Sequence, residues 1–166
     1  MTQPGRPTKR LGELLMEQRL IISGQLEQAL REQRSSKELL GAILVRLGFI
    51  KAEALLKVLS EQFGIPLEHV SIERVDWSVA QQLPSSLLSG STCFPIRADE
   101  TSITVAIADP LNAWALSDIQ RFAGIRKVKA VLVLPEELQL LFQTHQQRLL
   151  RSITSRLNDD ARNQTQ

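Results

Sequence analysis

Two glycines and two glutamines return at one spacing in the first third of the chain. Gly12 and Gln33 open and close Arg10-Leu-Gly-Glu-Leu-Leu through Ala29-Leu-Arg-Glu-Gln33, and Gly41 and Gln62 do the same for Leu39-Leu-Gly-Ala-Ile-Leu44 through Leu59-Ser-Glu-Gln62. A shift of 29 residues also lays Leu11 on Leu40, Leu15 on Leu44, Ile21 on Ile50, Leu26 on Leu55 and Leu30 on Leu59. Helical periodicity accounts for the leucines, but it gives no reason for a glycine and a glutamine to recur with them.

The chemistry these residues offer is recognition. A glycine at a helix start leaves backbone N–H groups and the positive dipole end open to an anion and lets a ligand come close. Arg10, two residues earlier, can pair with a phosphate or stack on a flat ring, and the Gln33 and Gln62 amides both donate and accept. Two related half-sites suit one ligand with two related halves. Each residue also has a plainer reading: helix-helix contact for Gly12 and Gly41, a solvated side chain for Arg10, surface amides for the glutamines.

Catalytic signatures are missing from the sequence. It holds no Gly-x-x-x-x-Gly-Lys-[Ser/Thr] loop, no Gly-x-Gly-x-x-Gly, no Gly-x-Ser-x-Gly and no His-x-x-x-His pair. His69 and His145 stand far apart without an adjacent nucleophile, and the single cysteine, Cys93, lies in an apolar run and reads as core. The expectation is a protein that is not an enzyme and carries neither metal nor cofactor.

Elements must position the repeated residues, and the composition is ample for them: 43% of 166 residues are apolar. Twenty Lys and Arg against 18 Asp and Glu leave a net charge of +2, too little to argue for DNA or RNA. Neither a signal peptide nor a membrane-spanning run is visible, so a cytoplasmic setting without direct membrane insertion is expected, any membrane association coming through a partner.

Apolar spacings of three and four predict helices over 10–18, 23–34, 38–47 and 51–63, with Ser23 as an N-cap and Gly48 as a C-cap. Two hairpins closing into a four-helix bundle bury their stripes most economically. After Gly64-Ile-Pro the period shortens. Strands are predicted over 92–96, 102–108 and 128–133, a helix carries Ala113, Leu116, Ile119 and Phe122, Gly124 ends it, and Pro135 starts a last helix. The fold class is therefore α+β: a four-helix bundle, then a small α/β subdomain with a three-stranded or slightly larger sheet. The domains are a disordered lead at 1–9, the bundle at 10–66, the α/β part at 67–150, and a helix end with a disordered tail at 151–166.

Taken together, Arg10-Leu-Gly, Leu15, Ile21, Leu26 and Gln33, a five-residue spacer, then Leu40-Gly41, Leu44, Gly48, Ile50, Leu55 and Gln62 resemble the tandem motif of MshEN-type domains. Gln62-Phe-Gly-Ile-Pro-Leu67, Leu83-Pro, Phe94-Pro-Ile, Ala108-Asp-Pro-Leu-Asn112 and Asp118-Ile extend the resemblance over 10–147. Such domains stand at the amino termini of type II secretion and type IV pilus extension ATPases, and many bind cyclic di-GMP.

The resemblance implies a cyclic di-GMP-binding regulatory domain whose partner is a secretion or pilus machinery protein or an attached effector. A docking adaptor for an inner-membrane platform protein is the other function it allows. It assigns Arg10, Leu11, Gly12, Leu15 and Gln33 to the first half-site and Leu40, Gly41, Leu44, Gly48 and Gln62 to the second. Asp109 can accept from a guanine N1–H and N2–H edge, or serve as a helix N-cap or a turn residue at Asp-Pro. Two positions depart from the repeat, Arg19 facing Gly48 and Leu39 facing Arg10, so the half-sites are unequal. With no phosphate loop, the chain is expected to be a detached amino-terminal fragment or a stand-alone receptor.

Overall fold

The computed structural model describes residues 9–82, 92–111 and 113–163, with backbone alone at 113–115, 118 and 157–163. It forms two compact units, Met1–Glu68 and His69–Gln166.

The first unit contains α1 (Leu11–Glu17), α2 (Ser23–Ser35), α3 (Leu40–Arg46) and α4 (Ala52–Phe63). Helices of seven residues, such as α1 and α3, do not persist alone in water, so tertiary burial must hold them. The core that does so repeats the sequence: Leu15 with Leu44, Ile21 with Ile50 and Ala29 with Val58 are buried equivalents, joined by Ile43 and Leu55. Removing a side chain such as Leu15, wholly buried, would cost about 2–5 kcal/mol.

The two short helices stop in the same way. Past α1, the Arg19 N–H bonds the Met16 carbonyl and the Leu20 N–H the Leu15 carbonyl, both at 2.9 Å; past α3, Gly48 bonds Val45 and Phe49 bonds Leu44, again at 2.9 Å. This is the Schellman pair of hydrogen bonds, which requires a left-handed residue at its turn. Gly48 fills that place at φ 71, and Arg19 does so at φ 56, the one non-glycine with positive φ among the described residues.

The second unit begins with a 3-10 turn (Ile72–Arg74) and α5 (Trp77–Gln82), followed by β1 (Cys93–Ala98), β2 (Ser102–Ile107), α6 (Ala113–Ala123), β3 (Lys127–Leu132) and α7 (Pro135–Asn163). The sheet order is β1-β2-β3, with β1 antiparallel and β3 parallel to β2. β2, between two strands, is buried along its whole length. The tight β1-β2 turn is held by Asp99, whose Oδ1 accepts from the Thr101 and Ser102 N–H groups, each at 2.7 Å. Phe94 centres the main core, edge-on to Phe142 at 5.2 Å, His145 at 5.6 Å and Trp77 at 6.0 Å. Arg148 lies 5.1 Å above the Trp77 ring.

The α+β class stands, and among the described residues the sheet has three strands. Four details differ from expectation. Ser23 is the first helical residue of α2 rather than its N-cap; that place belongs to Ile22, whose N–H is taken by Gln25 Oε1 at 3.0 Å. β1 runs to Ala98 because a register shift between Pro95 and Arg97 lets pairing resume beyond the proline. α5 was not expected, although Asp76 Oδ1 accepting from the Ser78 N–H at 3.1 Å is an ordinary helix-start signal. The helix of α7 continues to Asn163, through most of the 151–166 segment expected to hold a helix end and a disordered tail. Residues 1–8 of the expected lead, the tail beyond 163, Leu83-Pro and Asn112 lie outside the described residues.

Candidate functional site

The Leu-Gly steps of the two copies share one backbone. Arg10 precedes α1 at φ −73, ψ 149 and Leu39 precedes α3 at φ −71, ψ 144. The Arg10 carbonyl accepts from Leu14 N–H and the Leu39 carbonyl from Ile43 N–H, both at 3.1 Å. Glu13 Oε2 also accepts from the Arg10 N–H at 3.0 Å.

Gly12 and Gly41 are buried against the next helix of their own copy. A Cβ on Gly12 would stand 2.8 Å from Leu26 Cδ1, and one on Gly41 2.9 Å from Leu55 Cδ2 and 3.6 Å from Leu11 Cδ2. Helix crossing is thus one physical cause of the glycine recurrence. Leu11 and Leu40 are half-buried beside these steps, while Leu15 and Leu44 are completely buried. In this conformation Leu15 and Leu44 offer no surface to a ligand and form the floor beneath the steps.

The glutamines tie the copies to each other. Gln33 Nε2 donates to the Glu38 carbonyl at 3.3 Å, and Gln62 Nε2 donates to the Lys9 carbonyl at 3.0 Å. Lys9 and Glu38 are themselves equivalent, each standing just before a motif, so the end of each copy holds the entrance of the other. Gln62 Oε1 is buried without a hydrogen-bond partner among the described residues.

Sequence reading missed an ion pair that repeats with its charges exchanged. Lys9 Nζ meets Glu17 at 2.7 Å, and at the equivalent places Arg46 Nε meets Glu38 at 3.3 Å. Arg46 also reaches Glu32 at 3.1 Å. Its hydrogen bonds to Glu38 and then Glu32 raise its pKa above the ordinary arginine value. Comparing charges, rather than apolar residues, across the 29-residue shift would have revealed the exchange.

Asp109 belongs to the second unit, apart from the other ten assigned residues. Its Oδ1 accepts from the Leu111 N–H at 2.9 Å, the turn expected at Asp-Pro. With Thr92, Phe142, Gln139, Gln143 and Gln146 it lines a cleft of about 440 Å³, into the range of small-molecule sites. Thr92 Oγ1 is buried there without a partner among the described residues. Among the described residues no group of His, Cys, Asp and Glu is arranged for a metal, and no helix is long and apolar enough to cross a membrane.

The MshEN domain model matches residues 63–152, more than half of the chain. The chain belongs to the MshEN domain family. That match begins at the end of the bundle, so the tandem motif from Arg10 to Gln62 lies outside it. Type IV pilus assembly ATPase PilB of Myxococcus xanthus (strain DK1622) is 31% identical over 115 residues, covering 69% of this chain and 20% of that protein. Bacteriophage adsorption protein B of Escherichia coli (strain K12) is 31% identical over 134 residues, 81% of this chain and 18% of that one. The chain therefore spans about a fifth of the length of these curated relatives. The solved structure of MshE with cdg superposes at a TM-score of 0.73 and 28% identity, covering 82% of this chain and 99% of that one. The likeness to that structure thus extends over more residues than the second unit contains.

Proposed function

We propose that the chain is a cyclic di-GMP receptor domain that acts by binding and carries out no chemistry of its own. The observation that carries this reading is the matched backbone at Arg10-Leu-Gly and Leu39-Leu-Gly in a twofold-repeated bundle, which suits a ligand of two equal halves. The likeness to a structure of MshE with cdg, cyclic di-GMP, supports it.

In this reading Leu11-Gly12 and Leu40-Gly41 offer backbone and aliphatic surface to the two halves of the dinucleotide. Arg10 supplies the charge, and Gly48 leaves room at the second turn. Gln33 and Gln62 hold the motif entrances in register, while Leu15 and Leu44 support the floor. Asp109 accepts from the N1–H and N2–H edge of a guanine, which a carboxylate suits geometrically. Ligand that binds one arrangement of the chain more tightly biases the population toward it, and a secretion or pilus machinery protein or an attached effector reads the bias.

Isothermal titration with cyclic di-GMP tests the proposal. Saturable binding is expected, weakened about tenfold or more in Arg10→Ala with its melting temperature unchanged. Absence of heat at protein concentrations near 100-fold above a micromolar Kd, about 100 μM, would sink it.

A further inference from the structure

The second unit carries a charged concavity whose lining includes none of the residues assigned to cyclic di-GMP. After Gly124, at φ 63, the chain leaves α6 and presents Ile125 fully exposed. Ile125, Lys127 and Lys129 line one open cleft of about 490 Å³ with Glu100, Thr101 and Ser102. Alternation along β3 puts both lysines on one face, and the register sets Lys127 beside Ser102 and Lys129 beside Thr104. From Gln120 to Leu134 the sequence holds Arg121, Arg126, Lys127 and Lys129 and no acidic residue.

The strand edge at this end is already occupied. Gln120 Oε1 accepts from the Val128 N–H at 3.1 Å, and its Nε2 donates to the Arg126 carbonyl at 3.0 Å, so a side-chain amide stands where a neighbouring strand would bond. An incoming group must therefore bind through side chains.

We propose that this cleft docks an extended acidic segment of a partner protein. Carboxylates two residues apart along an extended peptide repeat every ~6.6 Å, the spacing of Lys127 and Lys129 along β3, and an aliphatic side chain of the segment covers Ile125. Lys127 and Lys129 outnumber Glu100 in the lining and set the sign of the partner. Glu100 in the wall works against polyphosphates and lipid headgroups, which would crowd it with negative charge, whereas a peptide can turn a backbone N–H toward it.

Fluorescence anisotropy with a labelled Leu-Ser-Glu-Ser-Glu peptide tests the proposal on the intact chain. The expected result is saturable binding in low salt, weakened about tenfold by the double variant Lys127→Glu with Lys129→Glu and about threefold to fivefold by Ile125→Ser. Melting temperatures should stay unchanged, and a peptide with lysine in place of glutamate should not bind. Equal affinity for the double variant, or no saturation at millimolar peptide, overturns the proposal. Binding of phosphatidylglycerol vesicles that the same variants abolish, with the peptide inert, also overturns it and gives the cleft to lipid headgroups. None of these readouts depends on cyclic di-GMP.

Discussion

Arg19 and Gly48 hold the same left-handed backbone, φ 56 and φ 71, at the same step of the two copies. Each sits where a short helix closes with the same two hydrogen bonds, so the turn is dictated by the packing of the repeat and not by the residue that occupies it. A side chain with a Cβ pays about 1 kcal/mol or more for that conformation. Arg19→Gly is therefore expected to raise stability by about 1 kcal/mol in urea unfolding, with Gly48→Arg lowering it by at least as much. Equal midpoints for wild type and Arg19→Gly would mean that the arginine recovers the strain through contacts of its own.

The exchanged ion pair makes an asymmetric prediction. Lys9–Glu17 and Arg46–Glu38 are half-exposed pairs, worth about 0–1 kcal/mol each. Arg46 also pairs with Glu32, so Arg46→Glu would gather three carboxylates where Lys9→Glu gathers two. Denaturation in low salt should show Arg46→Glu more destabilised than Lys9→Glu. Adding Glu38→Lys should restore part of the loss, and 1 M salt, where the screening length falls to about 3 Å, should erase most of the difference.

How much of this was legible in sequence depended on period and repetition. The four helices of the bundle announced themselves because Leu11, Leu14 and Leu15, and again Leu40, Ile43 and Leu44, fall at helical spacing and recur together. The β1 and β2 strands and Gly124 were readable from alternation and turn chemistry. α5 was not, because six residues make too short a window for any period to register. The causes of the shared spacing of the two copies were also hidden: Gln33 and Gln62 look like surface amides until the fold brings Glu38 and Lys9 beside them. Asp109 could be named as a turn residue from Asp-Pro, but its cleft is formed with Thr92 and α7, which sequence does not bring together.

Acid should weaken the second unit in two separate steps. His145 is buried against Phe94, and burial, reinforced by nearby Arg148, holds its pKa below the ordinary imidazole value. The unfolded ring titrates near pH 6.5, so below that pH the unfolded chain binds more protons than the folded one, and stability falls as pH falls. Asp99 is the opposite kind of group. The hydroxyls and N–H groups of Thr101 and Ser102 hold its pKa far below the usual carboxylate range, so its contribution is complete above about pH 4 and is lost only in stronger acid. Melting temperatures should decline between pH 7 and 5 in the wild type, and the decline should flatten in His145→Phe. A slope unchanged in His145→Phe would show that the buried imidazole is not its cause.

Gly41 and Leu55 give the sharpest test of why the glycines recur. In an exposed helix Gly→Ala stabilises by about 0.5–1 kcal/mol. At Gly41 a methyl would meet Leu55 Cδ2 at 2.9 Å and Cδ1 at 3.4 Å, and Leu55 is buried within the core and has little room to turn. Overpacking of this kind costs about 1–3 kcal/mol, so Gly41→Ala should destabilise by about 1 kcal/mol or more. Gly12→Ala presses on Leu26, which is only half-buried and can rotate outward, so it should cost less. Shortening the obstructing side chain separates the two causes: Leu55→Val loses a methylene by itself, yet combined with Gly41→Ala it should be less damaging than the sum of the single changes, with a favourable coupling of about 1 kcal/mol. Strict additivity in chemical denaturation would show that helix crossing does not demand the glycine, leaving close approach of a ligand as the reason for its return.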